Sequence, residues 1–377
     1  MLAAGAPLAL RCGANNLWGA EATPAVSRSL RASARVAITR CAAYGPAVRP
    51  ALAQCFDSLG GLGGLVKNKT VTVKLNLTST DFTEFLGRPV GETFMTHYDT
   101  VRALGALLFE AGAKRVRLVE STQSKARLQG SLALAGWDVK ALESLGKIEF
   151  ENTRNLGSGT RYAHTKVPFG GYMFSALDLN QAYEDTDVMV SLAKLKNHIT
   201  AGVTLSMKNL FGITPNSLYG DQAGSEDATA GRGPIHSPRG FEKIKLPGLK
   251  DGITSIEPTW RVPRTVVDVC AARPIHLAII DGITTMNGGE GPWCRDAAVI
   301  KFMSPGVLIA GLNPVSTDAV GTAVMGYADP RVTKGTKPFA FCDNHLLMAE
   351  QAGLGLAELA QIEVRGEPVE KVKCNFG

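Results

Sequence analysis

From residue 35 onward, short runs rich in valine, isoleucine and threonine alternate with longer amphipathic stretches, and this alternation restricts the chain more than any other feature. Successive strands separated by a helix pair in parallel, and a parallel sheet is stable only when helices cover both of its faces. Strands are expected at Val36 to Thr39, Thr70 to Leu77 (TVTVKLNL), Arg115 to Glu120, Asp187 to Leu192 (DVMVSL), Ile275 to Asp281 (IHLAIID) and Gly306 to Gly311. Helices are expected at Ala47 to Leu59, Thr96 to Ala111, Lys125 to Ala135, Thr200 to Phe211, 257 to 272 and Val315 to Met325. Gly60-Gly61 and Gly112 provide stops for the first two. The expected fold class is α/β, with mostly parallel sheets covered by helices on both faces. Between 147 and 180, short strands and glycine turns read as a small hairpin insertion.

With 377 residues, 45% of them hydrophobic and 20% charged, the chain can bury a large core. Its expected organisation is a signal-like leader and linker at 1–34, an α/β domain at 35–330, and a C-terminal helix and strand extension at 331–377. The central domain divides naturally into lobes at about 35–145 and 146–330. In the leader, Met1 to Leu10 is small and apolar, no acidic residue precedes Glu21, and Ala20-Glu21-Ala22 has the small-x-small form of a signal-peptidase site. That pattern predicts export to the periplasm. Arg11 breaks the apolar run and a basic n-region is missing, so a cytoplasmic protein with a leader of no targeting value is the alternative. No stretch reaches the roughly 18 apolar residues of a membrane span. The net charge of +6 is spread along the chain without a Lys/Arg run, which points away from a nucleic-acid partner. None of the seven cysteines falls in a Cys-x-x-Cys spacing, so no iron–sulfur cluster is expected from this chain.

Open parallel sheets bind ligands outside the carboxyl ends of their strands. The residues there are polar: Lys74 and Asn76, Glu120-Ser121-Thr122, Lys194-Leu195-Lys196-Asn197-His198, Asp281-Gly282, and Asn313-Pro314 leading to Asp318. Thr96-His97 joins them at a helix start, where Thr96 can cap. The segment VSLAKLKNHITAGVTLSMKNLFG, residues 190 to 212, is the sharpest signal, because Lys208-Asn209 sits in an otherwise apolar helix. A lysine in such a place needs either a carboxylate partner, with Asp281 and Asp318 the candidates, or an anionic ligand. If the strand continues through them, Lys194 and Lys196 leave the same face and need a counter-charge from the same two sources.

These residues suggest that Lys74, Asn76, Lys194, Lys196, Lys208 and Asn209 bind the phosphate or carboxylate groups of a small molecule. His97 and His198 are then the candidate general acid and base, with Glu120, Asp281 and Asp318 as supporting carboxylates. Asp281 and Glu290 could join the histidines at a metal, but no metal-ligand spacing is present, and metal and cofactor stay open. His164, His236, His276 and His345 receive no role. The Gly288-Gly289-Glu290-Gly291-Pro292 run lacks both common nucleotide-binding patterns and reads as a turn or as a close backbone approach to an anion. Residues 214–255, rich in Gly, Pro and Ser and without periodicity, read as a lid or a surface for a protein partner.

Taken together, these motifs resemble the domain-of-unknown-function 362 family over roughly residues 34 to 330. The likeness runs through Lys74 and Asn76, where Leu75 replaces the proline of the family's usual Lys-Pro-Asn, through Thr96-His97 and AGAKRVRLVES, and through DVMVSLAKLKNHITAGVTLSMKNLFG, IIDGITTMNGGEGP and AGLNPVSTDAVG. Many relatives carry a C-terminal ferredoxin-like cysteine segment, which this chain lacks, and some look exported by a twin-arginine signal. The resemblance implies a fold but little chemistry. Thr96-His97 and the Lys/His cluster also resemble the lactate-racemase type of enzyme, where lysine and histidine hold a nickel-bearing cofactor; the cofactor is not carried over on those residues alone. The leading expectation is an enzyme acting on, or binding, a small anionic molecule. The alternatives are a non-catalytic redox accessory that docks a partner through 214–255 and a lactate-racemase-like isomerase.

Overall fold

The structure, a computed structural model, describes residues 33–78, 82–294 and 296–377, so the leader and its cleavage region lie outside the described residues. Eight strands form one sheet: β1 (Arg35–Arg40), β2 (Thr70–Lys74), β3 (Arg115–Glu120), β4 (Ile148–Asn152), β5 (Val188–Lys194), β6 (Leu277–Gly282), β7 (Val307–Gly311) and β8 (Glu363–Gly366). Their spatial order is β8-β1-β7-β6-β5-β2-β3-β4. Every pairing is parallel except those of β7 with β1 and β6. All the strands but β7 therefore end at one edge of the sheet, and that edge carries the candidate site.

The period-two alternation of the strands feeds two separate cores. On one face Val36, Ile38, Ala278, Ile280 and Ile309 pack with α4 (Leu205–Leu210), α5 (Pro258–Ala272), α6 (Pro314–Val324) and α7 (His345–Gln351). On the other, Ala37, Val71, Val73, Leu192, Ile279 and Leu308 meet α1 (Val48–Ser58), α2 (Tyr98–Glu110) and α3 (Leu128–Leu134). This is the mostly parallel, doubly covered sheet that the alternation implies. Residues Tyr162–Lys166 and Ala176–Asn180 form the expected hairpin, whereas Ile148–Asn152 joins the main sheet as its edge strand β4. At the other edge β8, from the C-terminal extension, pairs in parallel with β1.

Two expectations are corrected. Gly306 to Gly311 was expected to end at the same cleft as the other strands, but β7 runs the other way. Residues 283–306 return the chain directly from β6 through a two-stranded ribbon, Thr285–Asn287 with Lys301–Met303, and adjacent strands joined without a crossover helix are antiparallel. Asn313, which follows β7, consequently leaves the opposite edge of the sheet. The helix expected from Thr200 begins only at Leu205, because Asn197–His198 and Gly202–Val203 first form a short antiparallel ribbon. Gly202 turns that ribbon at φ +75°, with the Phe339 ring lying 2.5 Å from where a Cβ would stand.

Candidate functional site

A cavity of about 370 Å³ opens at the shared strand edge. Its wall includes Lys74, Asn76, Glu120, Lys196, His198, Lys208 and Asn209, all expected at the site. Residues 214–255 fold back over this edge and add Gly231, Arg232 and His236, and the glycine-rich run adds Glu290 beside Trp293. His236, given no role from sequence, thus belongs to the cavity. Arg232 was not singled out either; both sit on a segment with no periodicity, where only the presence of a cation and an imidazole could have drawn attention.

Most of the charged wall is committed to the protein itself. Lys74 Nζ donates to Glu120 Oε1 at 2.5 Å and to the Leu75 carbonyl at 2.6 Å. Glu120 also accepts the Leu77 and Ser121 backbone N–H groups, so this buried pair is well satisfied. Lys196 Nζ donates to the carbonyls of Phe94 (2.9 Å) and Glu290 (2.6 Å). Arg232 donates to the carbonyls of Thr214 and Gly212 and to Ser121 Oγ. The Glu290 carboxylate accepts from Ile199 N–H and Trp293 Nε1–H. The glycine-rich run therefore presents the Glu290 carbonyl to a lysine.

Lys208 differs. Among the described residues its Nζ has no hydrogen-bond or ion-pair partner, and it lies 4.2 Å from the centroid of the Phe211 ring. Neither Asp281 nor Asp318 pairs with it. Burial among like charges brings Lys208 down to about 7, with Glu290 opposing, and burial brings Lys196 to a similar value. Beside Lys208, Asn209 is held by Ser191 Oγ and by Asn76, whose Nδ2 donates to Asn209 Oδ1 at 3.1 Å.

The two cavity histidines are fixed in opposite senses. His198 Nδ1 accepts the Thr200 N–H at 3.2 Å, which assigns the proton of the neutral ring to Nε2. His236 Nδ1 lies 2.7 Å from the Arg232 carbonyl and must donate to it, leaving a lone pair on Nε2. Burial drives both toward the neutral form, His198 well below the ordinary histidine value and His236 to about 4. One ring can donate through Nε2 and the other can accept.

The remaining expected residues lie elsewhere. Lys194 pairs with Asp281 at 3.5 Å, both side chains fully buried, and donates to Tyr44 Oη and the Gly91 carbonyl. Thr100 and Tyr44 donate to the same carboxylate. His97 belongs to this second cluster and does not line the cavity: its ring stacks on Tyr44 with centroids 3.5 Å apart, and burial with Lys194 nearby lowers it to about 4. It also caps α2, accepting the Asp99 N–H at Nδ1, while Thr96 instead accepts the Asn76 N–H. Asp318 caps α4 from within the core, accepting the N–H groups of Ser206 and Met207, and burial raises it to about 7. Among the described residues no three His, Cys, Asp or Glu side chains converge on a metal-sized position.

The family described as "Domain of unknown function (DUF362)" matches residues 71–323, a span that holds the cavity wall and, of the second cluster, every named residue but Tyr44. The chain belongs to this family. The thylakoid-associated protein sll1697 of Synechocystis sp. is 29% identical over 270 residues, covering 70% of this chain and 67% of that protein. Among solved structures, the lactate racemase apoprotein of Thermoanaerobacterium thermosaccharolyticum is similar at 14% identity and a TM-score of 0.41, over 78% of this chain and 57% of that one. A Thermotoga maritima protein follows at 15% identity and a TM-score of 0.32, over 65% of this chain and 52% of its own. Among the described residues no helix is long and apolar enough to cross a membrane.

Proposed function

We propose that the cavity binds a small molecule carrying a phosphate or carboxylate group and that the chain acts on it as an enzyme. The observation that carries this reading is the unpaired amine of Lys208 on the wall of a cavity whose two carboxylates are already engaged, Glu120 by Lys74 and Glu290 by Ile199 and Trp293. Lys208 is partly buried and no carboxylate is bonded to its amine, so an anion entering the cavity would supply the counter-charge it lacks. Lys196 and Arg232 add positive charge on the same wall. His198, through Nε2–H, is suited to hydrogen-bond a reacting oxygen, and His236 to accept a proton. Residues 214–255 support this reading over a docking surface, since they turn Arg232 and His236 inward. The small-residue leader supports export of the chain, and N-terminal sequencing of the mature protein checks that separately.

Calorimetric titration of the full chain with sulfate and with oxalate tests the binding. Saturable binding that is weakened at least about tenfold in Lys208→Met is the expected result. Absence of binding to both anions would overturn the proposal.

A further inference from the structure

We propose that Lys208 forms an imine with the carbonyl group of a small carboxylate- or phosphate-bearing substrate. This rests on the anion-binding reading above and narrows its substrate class to anionic aldehydes and ketones.

A lysine attacks a carbonyl only as the neutral amine with its lone pair unoccupied. At this edge of the sheet Lys74, Lys194 and Lys196 each spend their Nζ on carbonyl, hydroxyl or carboxylate oxygens. Lys208 alone among these lysines has no such partner, and its amine rests against an aromatic face within the cavity. Burial and the nearby cations Arg232 and Lys74 disfavour the ammonium form, while Glu290 and the face of Phe211 favour it. Crowding by cations in a desolvated site is a known way to hold a lysine neutral.

The reaction balances with groups already present. The Lys208 nitrogen lone pair bonds to the carbonyl carbon while the C=O π pair moves to oxygen. One amine proton passes to that oxygen, giving a carbinolamine. The C–O bond then breaks, the nitrogen lone pair forms C=N, and the second amine proton leaves with the oxygen as water. His236 Nε2, with its lone pair, can take a proton from nitrogen and, as the imidazolium, return it to the departing oxygen, which the His198 Nε2–H steadies with a hydrogen bond. No oxidant or reductant is consumed.

Glyoxylate, an aldehyde with a carboxylate, is the probe. The full-length protein is incubated with glyoxylate and cyanoborohydride at neutral pH, and modified lysines are located by peptide mass mapping. Cyanoborohydride reduces the imine to a stable secondary amine. The expected result is modification of Lys208 at least about tenfold faster than an exposed lysine such as Lys125, because the cavity holds the substrate's anionic group beside the Lys208 amine. Sulfate should slow it, and acetaldehyde, which lacks the anion, should show no such preference. Lys208 reacting no faster than Lys125, while sulfate and oxalate still bind, would overturn the imine and leave anion binding standing. Rapid modification by acetaldehyde as well, untouched by sulfate, would instead overturn the anion reading and the substrate class with it. The wild-type map decides the matter without a variant, and Lys208→Arg serves as a folded control that should give no labelled peptide at this position.

Discussion

Lys194 and Asp281 stand side by side on adjacent parallel strands, in register, with Nζ and Oδ2 3.5 Å apart and both side chains sealed from water. The pairing makes them parts of the scaffold. Asp281 receives hydrogen bonds from Tyr44 and Thr100 besides the lysine charge, so removing either partner strands a buried ion. Lys194→Met should destabilise the protein by about 3–5 kcal/mol in denaturant unfolding. The double variant Lys194→Met/Asp281→Leu should recover part of that loss. Sulfate binding in the single variant, measured where it remains folded, should stay within a few-fold of wild type; abolished binding would move Lys194 into the cavity's chemistry.

Lys196 and Lys208 should separate in the same way. Lys196→Ala removes the donor to two carbonyls, of Phe94 and Glu290, and leaves them unsatisfied in the interior. A cost of roughly 1–3 kcal/mol in the empty protein is expected. Lys208→Met removes an amine that has no hydrogen-bond or ion-pair partner among the described residues and should leave stability little changed or raise it, while weakening sulfate binding by roughly 1.5–3 kcal/mol. Strong destabilisation by Lys208→Met in the absence of ligand would show that the lysine has a structural partner.

Why the sequence separates these lysines only in part is a matter of register and contact. Alternation along the strands was enough to expect a parallel sheet, and polar residues after β2, β3 and β5 marked the edge that holds the cavity. Nothing in the apolar run Val307–Gly311 reveals its direction, which depends on the ribbon that precedes it, so Asn313 was expected at the wrong edge. Asp281 was foreseen as one of two counter-charges for the lysines, but only the register of β5 with β6 gives it to Lys194. Arg232 and His236 come from an irregular segment whose path is set by tertiary contacts, such as the Asn216 side chain donating to the carbonyls of Ala230 and Gly231. Periodicity carries no record of such contacts.

Gly202 offers a test of how the His198 ribbon is held. Its positive φ disfavours any side chain, and a Cβ there would run into the Phe339 ring. Gly202→Ala should cost about 2 kcal/mol or more in thermal or denaturant unfolding. His198 pairs directly with Gly202 across the ribbon, so sulfate affinity should fall as well. A variant as stable as wild type would mean that Phe339 moves aside freely.

The pH dependence of binding follows from the lysines, and its sign is opposite to that of the empty protein's stability. Lys196 and Lys208, both brought to about 7, are charged below that value and neutral above it. Sulfate keeps its full charge throughout, so its affinity should be highest below pH 7 and fall above it, by roughly tenfold per pH unit for each lysine that must be charged. His198 and His236 are already neutral there and should add no step between about pH 5 and 6.5. For the empty protein, an unfolded lysine near 10.5 holds its proton over the range in which the folded one has lost it, so these two lysines make stability rise with pH from about 7 upward. Asp318, raised from 3.8 to about 7, contributes below that window and with the opposite slope. Titrations between about pH 6 and 8.5 check both, and Lys208→Met should lower the slope of log affinity against pH by about one. A sulfate affinity that is flat across this range in the wild-type protein would exclude both lysines as the anion's charge partners.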